Sequence, residues 1–135
     1  MKNFKLNEKD ILSNQDWTFP TTTYYGPGRF NEIGKFCEEF DIKNPLIVTD
    51  SGSKDLPFIK KLIALLSKNS IKSDLFYNIS PNPRDDEISK GCDQFKNGSH
   101  DSIIAIGGGS AMDGGKSICL TVNSETPLWD FEFEQ

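Results

Sequence analysis

The stretch from residue 103 to residue 116 joins a short apolar segment to a polar one through three consecutive glycines. It reads Ile103-Ile104-Ala105-Ile106-Gly107-Gly108-Gly109-Ser110-Ala111-Met112-Asp113-Gly114-Gly115-Lys116. Glycines between a buried strand and a helix let the backbone approach an anion closely, and the first N–H groups of the helix then point at that anion. The stretch therefore predicts a cradle for a phosphate or a dinucleotide at Gly107, Gly108 and Gly109.

Ser110 and Asp113 leave a simpler alternative open. Their spacing matches a capping box, in which two side chains only close the first turn of the helix. A cap alone requires neither three successive glycines nor the pair Gly114-Gly115, since each glycine inside a helix costs about 1 kcal/mol relative to alanine. The pattern therefore favours the phosphate cradle.

Apolar strands alternate with amphipathic helices upstream of the glycines. Strands are predicted at 21–25, 46–49, 75–79 and 103–106. Helices are predicted at about 29–40, 56–66 and 88–95, with a cap at Gly98, and again from near Ser110. This alternation implies right-handed βαβ crossovers, so we expect an α/β fold with a doubly wound parallel sheet.

The turns after the last three strands bring Asp50, Asn82 and Gly107 to one edge of that sheet. Ligands bind outside the carboxyl ends of parallel strands. A carboxylate at Asp50 could accept both hydroxyls of an adenosine ribose and would repel a 2′-phosphate; the alternative is that Asp50 only caps a turn. The glycine spacing is not G-x-G-x-x-G, and no acidic strand end follows about 20 residues later, so this is not the common dinucleotide fingerprint.

Composition and charge exclude several classes of partner. The 135 residues carry a formal net charge of -5, and 36% of them are hydrophobic. Without a block of basic residues, the chain is a poor binder of nucleic acid or of an anionic membrane. The longest apolar run, at 62–66, is far short of the ~20 residues that span a bilayer. We therefore expect one compact cytoplasmic domain.

The cysteines and the histidine predict no metal site. Cys37, Cys92 and Cys119 are odd in number, widely spaced and without a C-x-x-C pair, which favours reduced, buried thiols over disulfides or zinc ligands. His100 precedes the last strand, at the opposite edge of the sheet from the glycines, and is expected to be a solvated loop residue.

Five segments together resemble the amino-terminal half of iron-containing (group III) alcohol dehydrogenases. They are Phe19-Pro20, Tyr25-Gly26-Pro27-Gly28, Leu46-Ile47-Val48-Thr49-Asp50, Ser80-Pro81-Asn82-Pro83 and the stretch from Gly107 to Lys116. The resemblance covers about Trp17 to Glu132. Its core, G-G-G-S-x-x-D-x-x-K, is specific to the superfamily that also holds glycerol dehydrogenases and dehydroquinate synthases. Ser110 after the glycines favours the alcohol dehydrogenase branch.

The resemblance implies a dehydroquinate synthase-like, Rossmann-like fold and a role for each matched residue. Asp50 would bind the adenosine ribose, and Asn82 would line the cofactor site. Gly107, Gly108, Gly109 and Ser110 would hold the pyrophosphate, and Asp113 would lie towards the nicotinamide. A polar arm at 1–16 would precede an NAD(P)-binding domain at 17–135, incomplete at its C-terminal end and lacking the helical metal-binding domain of the family.

The implied activity is hydride transfer between a primary or secondary alcohol, or its aldehyde, and NAD rather than NADP. The complete enzyme would hold Fe²⁺ or Zn²⁺ through ligands outside this chain and could form a homodimer. No catalytic residue is assigned to this chain, which alone would be inactive. A glycerol dehydrogenase or dehydroquinate synthase-like member is an alternative within the superfamily. A non-catalytic nucleotide-binding module and a phosphoryl-transfer enzyme are alternatives outside it.

Overall fold

The computed structural model describes residues 15–18 and 21–132. The strands are β1 (Gln15–Thr18), β2 (Thr22–Tyr25), β3 (Pro45–Asp50), β4 (Asp74–Ile79) and β5 (Ser102–Ala105). The α-helices are α1 (Ile33–Glu39), α2 (Pro57–Lys68), α3 (Asp85–Asn97) and α4 (Gly109–Thr121). Two short 3₁₀ helices span Arg29–Glu32 and Leu128–Phe131.

Strands β3, β4 and β5 form one parallel sheet in the order β4-β3-β5. Leu46 pairs with Asp74 on one side and with Ile103 on the other. Strand β3 lies in the centre because residues 45–49 are all buried, as a continuous apolar run predicts for a strand covered on both faces. The predicted α/β fold with a parallel sheet is confirmed.

Helices cover both faces of this sheet. On one face Leu46 and Val48 pack with Ile118 of α4 and with apolar residues of α3. On the other face Ile47 packs with Leu62 of α2 and with α1. Neighbouring residues of β3 thus point to opposite faces, and each face buries its own helix pair.

The prediction of a fourth strand in this sheet, at 21–25, is wrong. Strand β2 pairs antiparallel with β1 in a separate two-stranded sheet, with Gln15 opposite Tyr25. All four residues of β2 are exposed, whereas a strand of a covered parallel sheet must be apolar on both faces. Of the polar arm predicted at 1–16, Gln15 and Asp16 belong to β1, and residues 1–14 lie outside the described residues.

The first turn of one predicted helix differs from the prediction. The helix expected at 29–40 begins as the 3₁₀ turn and continues as α1 only from Ile33. Near the end of the described residues, Leu128–Phe131 forms a 3₁₀ helix, with Trp129 largely exposed. Phe19, Pro20 and Phe133 lie outside the described residues.

The prediction of a solvated His100 is also wrong. The residue is only 6% exposed, and its Nδ1 lies 3.0 Å from the carbonyl oxygen of Asn44, while its ring lies against Phe95. The reason is that the His100 ring lies against Gly98, in space that a side chain at residue 98 would occupy.

The three cysteines are free, but only Cys37 is fully buried. Burial, followed by the charge of Asp101, raises the pKa of its thiol, which keeps the thiol neutral and unreactive. Cys92 is half-buried and Cys119 is exposed on α4, so the expectation of three buried cysteines is wrong for Cys119. No helix in the described part of the chain is both long and apolar enough to cross a membrane.

A carboxylate joins the amino ends of β3 and β5. Asp101 Oδ2 accepts the backbone N–H groups of Lys43 at 2.8 Å and Asn44 at 2.9 Å. Burial raises the pKa of Asp101, but these two donors and the Ser102 hydroxyl outweigh it, so the net pKa lies below its ordinary value.

Replacing Asp101 with alanine should therefore lower the free energy of unfolding at neutral pH by about 1–2 kcal/mol. Because the folded-state pKa is depressed, the stabilisation is present above the pKa of the unfolded chain and is lost as pH falls through the lower folded pKa. Urea unfolding of the parent and of Asp101→Ala between pH 7 and pH 2 measures this. A difference in stability that stays constant across that range would contradict it.

Candidate functional site

The three sequence-predicted turns meet at the carboxyl edge of the parallel sheet. After β3 the chain crosses to β4 on one side, and after β4 it crosses back to β5 on the other. Helices α2 and α4, which follow β3 and β5, lie on opposite faces. The ends of β3 and β5 therefore flank a crevice, the position where doubly wound folds bind ligands.

Gly107 makes the turn from β5 to α4, and its backbone requires glycine. Its φ is +143°, a conformation that L side chains rarely adopt. A Cβ added there would lie 2.8 Å from Ala111 Cβ and 3.2 Å from Asp50 Oδ2. The turn can thus pass against the end of β3 only because residue 107 has no side chain.

Gly108 and Gly109 differ from Gly107, because no contact with residues 15–18 or 21–132 requires a glycine at either position. Both have negative φ, and an added Cβ at either position would meet no atom within 4 Å. The N–H groups of Gly109, Ser110 and Ala111 open α4 and have no acceptor within the helix. Open space, missing side chains and aligned donors together fit an anion that lies against this backbone.

Asp50 ends β3 beside the glycine turn, held in a fixed orientation. Its Oδ1 accepts the N–H of Gly52 at 3.0 Å, and its Oδ2 accepts the hydroxyl of Ser53 at 2.8 Å. Strand β4 has one more residue than β3 between the Val48–Phe76 pair and the Asp50–Ile79 pair, so the ladder is irregular where the carboxylate emerges. Bulges of this kind re-aim side chains at functional edges.

The loop that carries Asn82 is joined to the glycine turn by Ser110. The Ser110 hydroxyl donates to the carbonyl oxygen of Pro81 at 2.7 Å. The N-cap of α4 is Gly108, without a side-chain cap, so the alternative of a Ser110–Asp113 capping box is wrong. Asn82, the next residue after Pro81, is exposed.

Glu87, in the first turn of α3, binds the backbone of the same loop. Its Oε2 accepts the backbone N–H of Ser80 at 3.2 Å, the backbone N–H of Arg84 at 3.1 Å and the Ser80 hydroxyl at 3.1 Å. Burial raises the pKa of Glu87, but these donors outweigh it and the net pKa is below its ordinary value. The carboxylate therefore stays ionised and holds the loop between Ser80 and Arg84 in one conformation.

Asp113 is exposed and lies four residues after Gly109, on the same face of α4. The structure thus places Asp50 against Gly107, and Gly108, Gly109 and Ser110 follow Gly107 at the start of α4. It adds Asn82 through the Pro81 contact, and Asp113 lies one helical turn farther along.

An apolar cleft beside the glycine turn was not predicted from the sequence. It has a volume of about 460 Å³ and is lined by Phe30, Ser53, Phe58, Ile106, Gly107 and Gly108. Phe58 in the first turn of α2 and Phe30 in the 3₁₀ turn are far apart in sequence, so no local pattern joins them. Ser53, three residues after Asp50, did carry a signal, because a hydroxyl at that spacing can close a turn onto the carboxylate.

Gly114 and Gly115 have a packing role in the helix–sheet contact. An added Cβ would lie 2.7 Å from Ile79 Cδ1 at Gly114 and 2.5 Å from Ala105 Cβ at Gly115. These glycines let α4 approach the sheet closely, so they do not count as support for phosphate binding.

The described residues offer no group of three or more His, Cys, Asp or Glu side chains that could hold a metal ion. His100 lies at the amino ends of the strands, away from the glycine turn. The described part of the chain thus shows no ligand set for a metal ion, whereas the backbone at Gly108 and Gly109 is open.

Comparisons with known proteins agree with this geometry. A model of the iron-containing alcohol dehydrogenase family matches residues 20–135. The 1,3-propanediol dehydrogenase of Klebsiella pneumoniae is 29% identical over 118 residues, which cover 86% of this chain and 30% of that protein. The chain thus spans less than a third of the length of the curated relatives it matches.

Two solved structures share the fold. A 1,3-propanediol oxidoreductase superimposes with a TM-score of 0.77 at 30% identity, over 80% of this chain and 28% of that one. A sulfoacetaldehyde reductase from Bifidobacterium kashiwanohense, in complex with NAD⁺, gives a TM-score of 0.69 at 26% identity, over 78% of this chain and 28% of that one. With the family match over most of its length, the chain belongs to the iron-containing alcohol dehydrogenase family.

Proposed function

We propose that this chain is the dinucleotide-binding part of an alcohol dehydrogenase that uses NAD. The observation that carries the proposal is the open space at Gly108 and Gly109, where two glycines without a structural reason lie at the start of α4. A related reductase was solved with NAD⁺, which supports the choice of dinucleotide.

In this proposal the chain's residues bind and orient the cofactor. The N–H groups at the start of α4 would hold the pyrophosphate, and the carboxylate of Asp50 would accept the hydroxyls of the adenosine ribose. The apolar cleft lined by Phe30 and Phe58 offers a surface for the adenine ring. Asn82 and Asp113 would contact the remaining part of the dinucleotide. When bound, the nicotinamide ring supplies or accepts the hydride.

The proposed substrates are small alcohols and the corresponding aldehydes. Relatives with this fold are a 1,3-propanediol dehydrogenase and a 1,3-propanediol oxidoreductase, which supports that class. Since the described residues lack a cluster of metal ligands, Fe²⁺ or Zn²⁺ would be held by residues outside them. The homodimer, the cytoplasmic location and the division at residue 16 stay predictions.

The folded 135-residue chain should bind NADH more tightly than NADPH or ATP, and replacing Asp50 with asparagine should narrow the gap between NADH and NADPH. The reason is that a carboxylate beside a 2′-phosphate places like charges together, an effect of about one to a few kcal/mol. Fluorescence titration with each nucleotide measures it. Tighter binding of Mg-ATP than of NADH would favour a phosphoryl-transfer enzyme. Equal binding of NADH, NADPH and ATP would favour a general nucleotide-binding module.

A further inference from the structure

The carboxylate of Asp50 is held on the crevice side by a single side chain, that of Ser53. The hydroxyl of Ser53 donates to Oδ2 at 2.8 Å, and the backbone N–H of Ser53 donates to the Asp50 carbonyl oxygen at 3.1 Å. The other oxygen, Oδ1, is bound by the N–H of Gly52 at 3.0 Å. Among the described residues, one side-chain donor and one backbone donor therefore fix this carboxylate, and the Ser53 N–H closes the turn through the Asp50 carbonyl oxygen.

Of the two carboxylate oxygens, Oδ2 is the one that faces the glycine turn. A Cβ added to Gly107 would lie 3.2 Å from it. Ser53 also lines the apolar cleft, next to Gly107 and Gly108. The hydroxyl thus holds the oxygen that faces the glycine turn, and Ser53 is itself part of the wall of the cleft.

We propose that Ser53 is a positioning residue that sets the preference of this site for NAD over NADP, by holding Oδ2 of Asp50 towards the crevice. This inference rests on the proposed binding of NAD. An ionised oxygen accepts two or more hydrogen bonds, so the Ser53 hydroxyl leaves capacity for a ribose hydroxyl. A 2′-phosphate has no proton to donate at neutral pH and would meet the fixed negative charge.

Without the Ser53 hydroxyl, the half-buried Asp50 side chain is free to rotate towards solvent. Only the Gly52 N–H would then oppose that rotation. Rotation removes an acceptor from NAD and a repelling charge from NADP at the same time. Weaker binding of NAD and weaker repulsion of NADP both reduce the preference for NAD. The ratio of the NADPH and NADH dissociation constants is therefore the quantity that responds most.

The test is a double-mutant cycle on the ratio of the NADPH and NADH dissociation constants, measured in the 135-residue chain. In Ser53→Ala we expect that ratio to fall by about three- to tenfold, the size that one charge-assisted hydrogen bond supports. Ser53→Thr keeps a hydroxyl and should stay within about twofold of the parent. In an Asp50→Ala background, Ser53→Ala should leave the ratio unchanged, because the group that it positions is gone.

Ser51→Ala is the matched control. Ser51 lies in the same turn, but its one hydrogen bond within the described part of the chain is from its backbone N–H to the carbonyl oxygen of Ile79. Its replacement should not change the ratio. Ser53→Cys, which loses the strong donor with little change in shape, is a second variant that should follow Ser53→Ala.

An NMR measurement tests the positioning without any cofactor. The couplings between Hα and Hβ of Asp50 should report one side-chain rotamer in the parent and averaging in Ser53→Ala. An unchanged ratio in Ser53→Ala and Ser53→Cys, or an equal fall in the Asp50→Ala background, overturns the role of Ser53 while NAD binding stands. Failure of the folded parent chain to bind NADH overturns both.

Discussion

Replacing Gly108 and Gly109 together with alanine is expected to leave the chain folded and to lower its affinity for NADH by about 10- to 100-fold. At both positions an added methyl group meets no protein atom within 4 Å, and the backbone φ is one that alanine adopts. Alanine also reduces the freedom of the unfolded chain, so the melting temperature should stay the same or rise slightly. The methyl groups would fill the space next to the α4 N–H groups and hold a pyrophosphate away from them.

The size of the expected loss follows from the bonds at stake. Displacing one charge-assisted hydrogen bond costs about 1.5–3 kcal/mol, and 1.4 kcal/mol is tenfold in affinity. Titration with NADH and a thermal melt of the same sample separate binding from folding. Leu120→Ala, at an exposed position near the end of α4, is the control that should change neither. Unchanged NADH affinity in the double alanine variant would mean that the open space is not the binding site.

Gly107→Ala, unlike the double alanine variant, is expected to lower the stability of the fold. There the φ of +143° and the approach to Ala111 both disfavour any side chain, so the substitution should destabilise the fold itself. Adjacent glycines of one motif therefore have separate physical reasons: Gly107 for backbone geometry, Gly108 and Gly109 for a ligand.

The parts of the fold that the sequence predicted are those with local causes. The continuous apolar run around Val48 predicts a doubly covered central strand because burial on both faces leaves no place for alternating polar residues. Asp50 and Gly107 could be placed at one edge, since parallel strands fix the edge at which their turns lie. The structure adds that β3 and β5 are neighbours, which brings those two residues into contact.

The parts that could not be predicted depend on distant residues. Strand β2 pairs with β1 rather than with the sheet, and nothing within Thr22–Tyr25 encodes that partner. His100 is buried because Asn44, far upstream in sequence, provides a carbonyl oxygen for its ring. Phe30 and Phe58 line one cleft only after α2 has folded onto the sheet. In each case the contact that decides the structure joins residues far apart in sequence, so local sequence patterns do not predict it.

Gly115→Val is expected to lower the free energy of unfolding by about 3 kcal/mol, more than any other single change considered. A Cβ at residue 115 would lie 2.5 Å from Ala105 Cβ, an atom fixed directly to the backbone of β5. The strand cannot yield there without moving the whole sheet. The gain of helix propensity over glycine, at most about 1 kcal/mol, is too small to compensate.

Gly91→Ala, on α3, is the matched comparison because the atoms in its way are flexible. Its added Cβ would meet Cδ1 and Cγ1 of Ile118, the outer part of a side chain. Shortening that side chain with Ile118→Val removes the Cδ1 methyl, so the double variant should recover part of the stability lost in Gly91→Ala. The same shortening should not rescue Gly115→Val, whose clash is with β5. Urea unfolding of the parent, the three single variants and the two double variants measures these differences. Rescue of Gly115→Val by Ile118→Val, or no rescue of Gly91→Ala, would show that the helix–sheet spacing is set by other contacts.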